Sequence, residues 1–440
     1  MKNKNIFYLI ASIPLFLLPI IRIILVKYRD IYLIDLAAYS AVSRALFEGN
    51  NPFPDHGEVL FCSFGTSVPI VYPGQMLLFS LPGFLWGNAI QIAFLALNIA
   101  IVIFLTGLTL VRACDYQWRD LWTPGKKQFL FALCCFVFFV STNTMIIMRT
   151  GQIVLVLVLC LYCMFWGPAS HFLRMILFAF IAVTKYSVLP VFAPLLFFKR
   201  HWKLCLSSFG IFLLLSLSPV LCGNNLVEVY SGYFKAVEIL FQPGQVNHFN
   251  MSPQMCHLGF FKLPVINLIL KIVAICPILW LFWRERTSKS ISDTAFLLAL
   301  SLTMLISYHG LHDISLLFPL LFMRLFDFAR RRQWLFFSIT ALFVFYLVIP
   351  GRITLTISSW LGTIPGIDSV VWLSNNPWGS HFKHVFPITP FFAVALALWS
   401  MYLYLHVKEP YCFKIPEMLD NNSSKASENE NNPEFQKTEA

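Results

Sequence analysis

Apolar runs recur along most of the 440-residue chain, and they reach the roughly 20 residues needed to cross about 30 Å of hydrocarbon as a helix. The candidate spans are ten: 6–26, 87–111, 128–147, 152–167, 204–222, 264–283, 292–308, 311–327, 333–350 and 384–406. A β-barrel would show alternating segments of about 10 residues, so helices are the spanning unit. Charge content agrees, since only 12% of residues are Asp, Glu, Lys or Arg and 58% are hydrophobic, against about 25% and 45–50% in soluble domains. The chain reads as an all-α, polytopic membrane protein.

The net charge of +11 comes from short basic clusters between apolar segments. No stripe of cations with interleaved aromatics appears, so the charge signals topology and not a nucleic-acid partner. Placing Lys2 and Lys4 in the cytoplasm puts 112–127, 284–289 and 324–332, with Arg112, Lys127, Arg284, Arg286, Arg324 and Arg330 among them, on the same side. The first segment is longer than a signal-peptide core and lacks a small-residue cleavage site, so it is expected to remain as a span. Eleven cysteines show no paired CxxC spacing and mostly lie inside apolar segments, as small buried hydrophobes do.

One stretch resists simple threading. From Arg174 to Lys203 the chain reads RMILFAFIAVTKYSVLPVFAPLLFFKRHWK, and a single crossing would put Lys199, Arg200 and Lys203 outside and reverse every later loop. Lys185 at its middle and Pro190 after it favour two half-helices that dip in from the cytoplasm and return, a geometry tolerated where backbone lines a protein cavity. A kinked full span is the other reading. The external segments are then 27–86, 223–263 and 351–383, expected to fold against the bundle and to carry short interfacial helices. Residues 408–440 are polar and read as a disordered cytoplasmic tail behind a membrane domain of residues 1–407.

Ionisable groups near the apolar layer are costly and so become functional candidates. By this topology Asp35, Arg149, Lys185, His309 and Asp313 fall at or toward the outer ends of their segments. In IYLIDLAAYSAVSRALFEGNNPF, Ile34, Ala37, Ala38, Ala41, Val42, Ala45 and Leu46 recur at spacings of three and four, which predicts an amphipathic helix of about three turns. Gly49 ends it and NNPFP forbids continuation. Asp35 sits in the first turn, where the helix dipole favours a carboxylate, and reads either as a helix cap or as a catalytic acid/base. Arg149 in RTGQ suits bidentate phosphate binding or interfacial snorkelling. Lys185 in TKYS needs a counter-ion, a phosphate or a protein carboxylate. SYHGLHD carries His309, His312 and Asp313, but one His-x-x-His lacks further ligands nearby, and no metal site is assigned. VYPGQ at 71–75 and HFNMSPQMCHLGFF at 248–261 re-enter the membrane zone.

The order of these motifs carries more than any one of them. An Asp-x-x-x-Tyr helix (Asp35, Tyr39) with ALFEGNNPF, then VYPGQ, RTGQIVLVLVLCLYC, AVTKYSVLP with the basic FFKRHWK, and SYHGLHDISLL resembles the GT-C superfamily of integral-membrane glycosyltransferases over about residues 5–405. It is most similar to glycosyltransferase family 87, the polyprenol-phosphate-mannose-dependent α-mannosyltransferase type. Tyr186-Ser187 stand where a proline commonly follows the lysine, and VYPG replaces Tyr-Pro-Pro or Tyr-Pro-Leu.

The resemblance implies a GT-C fold and a polyprenyl-phosphate-linked, mannose-like hexose donor bound from the outer leaflet, with a lipid or glycan acceptor. It implies Asp35 as the general base of an inverting transfer, with His309 near the donor phosphate and Lys185 at the family's lysine. Arg149 would join them on the phosphate, while Tyr39, Tyr72, Gln152 and Asp313 would support substrate. The cell membrane is the expected location, with the site facing outside and both termini cytoplasmic. Such chemistry needs one carboxylate for the hydroxyl proton and cations for the phosphate charge. It needs no nucleotide, and no GxxxxGK[ST] loop is present. No cofactor follows, and one Asp with two histidines neither demands nor excludes a divalent ion. A transporter or flippase of a lipid-linked or small solute, and a non-catalytic subunit of envelope assembly, are the other classes such a chain could belong to. The lack of a long internal repeat speaks against a duplicated transporter.

Overall fold

In hydrocarbon every backbone N–H and C=O must be bonded internally, and the apolar stretches accordingly form helices. The structure is a computed structural model that describes residues 2–29, 34–52, 89–167, 170–185, 188–198, 201–240, 264–286, 290–306, 311–349, 351–365, 370–376, 379–385, 388–407 and 412–414. The first half contains α1 (Lys2–Arg29), α2 (Ile34–Phe47), α3 (Ala89–Cys114), α4 (Trp118–Trp122), α5 (Lys126–Val140), α6 (Thr142–Thr150), α7 (Val154–Trp166), α8 (His171–Thr184), α9 (Leu189–Phe198), α10 (Trp202–Ser216), α11 (Ser218–Leu221) and α12 (Leu226–Leu240). The second contains α13 (Pro264–Glu285), β1 (Ser290–Ser292), α14 (Asp293–Ile306), a 3₁₀ helix η1 (Leu311–Leu317), α15 (Phe318–Arg330), α16 (Trp334–Val348), α17 (Gly351–Gly362), β2 (Val370–Asn376), β3 (Gly379–Val385), α18 (Thr389–His406) and β4 (Cys412–Lys414).

Among the described residues, three helical stretches are long and apolar enough to cross a membrane: Lys4–Arg22, Ala89–Cys114 and Trp202–Leu221, matching the expected spans at 6–26, 87–111 and 204–222. Five shorter apolar helices accompany them, Val154–Trp166, His171–Thr184, Asp293–Leu305, Trp334–Val348 and Phe391–His406. Among the described residues, the candidate spans 128–147 and 311–327 do not run as one α-helix from end to end, and 204–222 passes from α10 to α11 at Leu217. The stretch 128–147 breaks at Ser141, whose hydroxyl donates to Phe138 O at 2.8 Å and accepts from Thr144 N, ending α5 and capping α6. The stretch 311–327 opens as η1, and α15 starts only at Phe318-Pro319, where the fixed φ of proline suits a first helical turn.

The region 174–203 forms two short helices running in opposite directions. Met175 of α8 lies beside Ser208 of α10, whose hydroxyl donates to its carbonyl at 3.1 Å, and Val183 at the far end of α8 clusters with Phe212 and Leu215. Thus α8 and α10 run parallel. Cys205 approaches Ala193 O at 3.7 Å across the 198–202 turn, so α9 runs back against α10. At 1.5 Å per residue, α8 and α9 extend about 21 and 15 Å, each short of a full crossing.

The two ends of the bundle differ. At one end Arg112 holds Asp293 through Nη2 at 3.0 Å and Nε at 3.2 Å, and Trp166 Nε1 donates to the same carboxylate at 2.9 Å. Arg330 reaches Asp115 at 2.7 Å, and with the Arg112–Asp293 pair this brings the 112–127 region, the start of α14 and the 324–332 region to this end; 287–289 of the expected 284–289 cluster lie outside the described residues. In β1 and β4, Ser290 pairs with Lys414 and Ser292 with Cys412, so the described residues of the segment assigned from 408 form a short strand beside the start of α14. The 351–383 region holds α17 and also an antiparallel hairpin, β2–β3, registered from Val370↔Val385 to Asn376↔Gly379, which a purely helical reading does not contain.

Candidate active site

At the opposite end, α2 forms where periodicity predicts it and ends with Gly49 at φ +73°. Val42, Ala45 and Leu46 of the predicted apolar face are buried, joined by Leu36, Tyr39 and Ser43. Leu36 and Tyr39 cluster with Phe94 of α3 and Val183 of α8, and Ile90, Ile153, Phe212 and Leu215 pack around them. The helix carrying Asp35 is thereby seated where α3 begins, α7 begins and α8 ends. The backbone of Asp35 is the second position of α2; its side chain lies outside the described residues.

The α6–α7 turn arrives at the same place. Gly151 N and Gln152 N both bond Ile147 O, at 2.9 and 3.2 Å, closing α6 one residue after Arg149 and Thr150. Gln152 is half-buried next to Ile153 of the α2 cluster. Arg149 occupies the last turn of α6, and its side chain, like Tyr72 and His309, lies outside the described residues.

Lys185 and Asp313 meet directly. Lys185 ends α8 with its N–H on Ile181 O at 2.8 Å, and Val188 N then bonds Lys185 O at 3.0 Å, turning the chain into α9. Its Nζ lies 2.7 Å from Asp313 Oδ2; the lysine side chain is 18% exposed and the aspartate 0%. Of the two counter-ions open to Lys185, the protein carboxylate is therefore present. Asp313 is held by η1, which packs on α6 and α7. Tyr162 of α7 donates to Leu316 O at 2.8 Å, and Ile314, Leu316 and Leu317 are buried, so the 3₁₀ segment is anchored directly after the carboxylate.

Sequence reasoning missed a clasp on α2. Two Gly-Asn-Asn triplets, Gly49–Asn51 and Gly223–Asn225, both turn through positive φ, +73° and +80° at their glycines, a conformation glycine enters without a Cβ penalty. Asn224 Nδ2 donates to Leu46 O at 2.9 Å, satisfying a carbonyl in the last turn of α2, and Asn51 Nδ2 reaches Glu228 O at 3.5 Å. The triplets are visible in the sequence, but nothing in their spacing says that they touch. Among the described residues no three His, Cys, Asp or Glu side chains gather in a metal-holding group.

The described residues thus form a helical membrane protein in which α2, the α6–α7 turn and the Lys185–Asp313 pair lie at one end of the bundle. The chain belongs to glycosyltransferase family 87, whose family model matches residues 71–308. That match contains Tyr72, Arg149, Gln152 and Lys185; it ends just before His309 and Asp313 and begins well after Asp35 and Tyr39, a shorter span than the motif order suggested. No curated protein and no solved structure matches the chain. The protein is a membrane glycosyltransferase.

Proposed function

We propose that this glycosyltransferase moves a mannose-like hexose from a polyprenyl-phosphate donor to a hydroxyl of a lipid or glycan acceptor, with inversion, on the outer side of the cell membrane. Asp35 takes the acceptor proton as the acceptor oxygen attacks the anomeric carbon, and the bond from that carbon to the lipid phosphate breaks. Arg149, Lys185 and His309 hold the phosphate as its charge develops, which stabilises the leaving group where water is scarce. Because Lys185 shares its charge with Asp313 at 2.7 Å, it is a fixed donor more than a surplus cation, and Arg149 supplies the net charge. Tyr39, Gln152 and Tyr72 complete the substrate pocket.

The observation that carries this reading is the convergence of α2, the α6–α7 turn and the end of α8 in one cluster through Leu36, Tyr39, Ile153 and Val183. With η1, joined to Lys185 through Asp313, segments spread from α2 to η1 along the chain arrive at the same end, away from the Arg112–Asp293 clasp. The test is donor use by the purified protein in nanodiscs. Labelled hexose should move from polyprenyl-phosphate-hexose, with free polyprenyl phosphate released in equal amount. Transfer from a nucleotide sugar in the absence of lipid donor would overturn the donor assignment.

The clasp gives a second test. Asn224→Ala removes one hydrogen bond, worth about 1 kcal/mol of stability, and frees the end of α2. A shift of order 1 Å in a reacting group can cost as much as about 100-fold in rate. We expect kcat to fall roughly tenfold with KM little changed, and Asn224→Gln, which keeps the amide donor, to recover part of the loss. Equal kcat in Asn224→Ala and the wild type would remove the clasp from the account.

A further inference from the structure

η1 passes into α15 with no residue between them, and a buried hydroxyl from another helix enters at that junction. Tyr162 of α7 is fully buried, its ring centroid 4.6 Å from that of Trp166 and 5.4 Å from that of Phe296. The hydroxyl donates to Leu316 O at 2.8 Å and accepts from the backbone of Leu320. Residues 316 and 320 are four apart, the spacing that an α-helical ladder joins directly. The phenol thus bridges the end of the 3₁₀ segment to the first turn of α15. Pro319, between them, has no N–H to offer the carbonyl of Ser315, so the junction's own ladder is short of a donor. A side chain inserted into such a ladder sets the local bend and rotation of the helix. Packing alone does not ask for the oxygen, since phenylalanine supplies the same ring and a buried hydroxyl is costly unless bonded.

The carboxylate that Lys185 meets lies one turn out from this bridge. A 3₁₀ helix has three residues per turn and eclipses positions three apart, so Asp313 and Leu316 share a face of η1, about 6 Å apart along its axis. Runs of this kind longer than three or four residues are uncommon because their hydrogen bonds are poorly aligned, and η1 has seven residues. Its hold on Asp313 therefore depends on the helices packed against it, α6 and α7. Trp166, which flanks the phenol, is itself tied down: its Nε1 donates to Asp293 Oδ1 at 2.9 Å, and Arg112 grips that carboxylate. A line of direct contacts thus runs from the Arg112–Asp293 clasp through Trp166 and Tyr162 to Leu316, and η1 carries it on to Asp313 and Lys185.

We propose that Tyr162 is a positioning residue for sugar transfer: by bridging Leu316 and Leu320 it sets the rotation of η1, and with it the place where Asp313 holds the Lys185 ammonium. This rests on the reading above that Lys185 holds the donor phosphate. Tyr162 acts only through the Asp313–Lys185 pair and touches neither substrate. Charge on the phosphate grows as the bond to the sugar breaks, so loss of aim at Lys185 is felt in the transition state more than in donor binding.

The test is a double-mutant cycle on the whole protein in nanodiscs, with hexose transfer from polyprenyl-phosphate-hexose measured alongside thermal midpoints. Tyr162→Phe keeps the ring and removes the hydroxyl; kcat should fall about tenfold with KM unchanged. The same substitution is then made in Asp313→Asn, where Lys185 has already lost its carboxylate. There the further loss should be less than about twofold, because residues that act through one another are not additive. Lys185→Arg, which keeps the charge but moves the donor nitrogens, serves as the background if Asp313→Asn does not fold. A hydroxyl that serves stability alone would lower the midpoint in both backgrounds and leave kcat of the folded enzyme untouched. Unchanged kcat in Tyr162→Phe, or the same loss in both backgrounds, overturns the proposal. Wild-type transfer by Lys185→Met with Asp313→Leu overturns instead the role of Lys185 on which it rests.

Discussion

Asp35→Asn is expected to lower hexose transfer by about two to four orders of magnitude, the span removed with a positioned general base, while the protein folds and inserts as before. The substitution separates the two readings of this residue. A carboxylate in the first turn of α2 favours the helix through its dipole, and as a cap Asn is about as good as Asp. If Asp35 serves only the helix, the amide costs a few tenths of a kcal/mol of dipole interaction and activity survives. If it accepts the acceptor hydroxyl proton, the amide cannot replace it. Transfer should be measured in nanodiscs with saturating donor, alongside thermal midpoints. Full activity in Asp35→Asn would sink the assignment of the base and return the residue to the role of a cap. Donor binding should persist in the variant, because the residues proposed for the phosphate lie on other elements.

The Lys185–Asp313 pair supports a second large effect. Removing one partner of a buried ion pair leaves the other charge uncompensated and costs about 3–5 kcal/mol, and Asp313 is fully buried beside Lys185. Lys185→Met and Asp313→Asn should each lower thermal stability markedly, with Lys185→Met the worse because it strands a carboxylate. Replacing both by apolar groups of similar volume, Lys185→Met with Asp313→Leu, should recover most of that stability, since a well-packed apolar pair can equal a buried ion pair. Transfer should not recover with it, because the phosphate then loses the lysine donor. A double variant with wild-type stability and wild-type transfer would make the pair purely structural. The comparison therefore asks whether Lys185 acts toward a ligand, which a single substitution cannot decide.

The parts that were legible in the sequence share a local cause. α2 announced itself through residues three and four apart and through Gly49, because helical periodicity and a left-handed terminator are properties of neighbours along the chain. The reversal near Lys185 was legible because basic residues at both ends of 174–203 resist being carried across a membrane. The interruptions were less so. Ser141 is one hydroxyl in a run otherwise fit to continue, and its capping bond to Thr144 appears only when α5 and α6 bend away from each other. The β2–β3 hairpin escaped notice because its strands sit in a segment read mainly by its turn residues and aromatics.

The candidate site divides in the same manner. Asp35, Arg149, Lys185, His309 and Asp313 could be singled out one by one, since a charge near hydrocarbon is costly wherever it occurs. Topology led to the expectation that they share one end; of these side chains the described residues bring Lys185 and Asp313 together, a partnership the sequence did not single out. Lys185 and Asp313 are 128 residues apart, and Asn224 meets Leu46 across 178; no period or propensity links positions at such distances.

What the amino-acid sequence determines by itself is a membrane-embedded helical chain, the side on which its basic loops gather, the short helix that bears Asp35 and membership of a glycosyltransferase family. These follow from the cost of exposing backbone or charge to lipid, which acts on each segment separately. Only the tertiary structure decides that Lys185 is spent on Asp313, that α2 is clasped at its end by Asn224, and that Tyr162 enters the η1–α15 junction at Leu316. Those features depend on the angles and register at which separate helices pack, and side-chain volumes summed over many contacts set them.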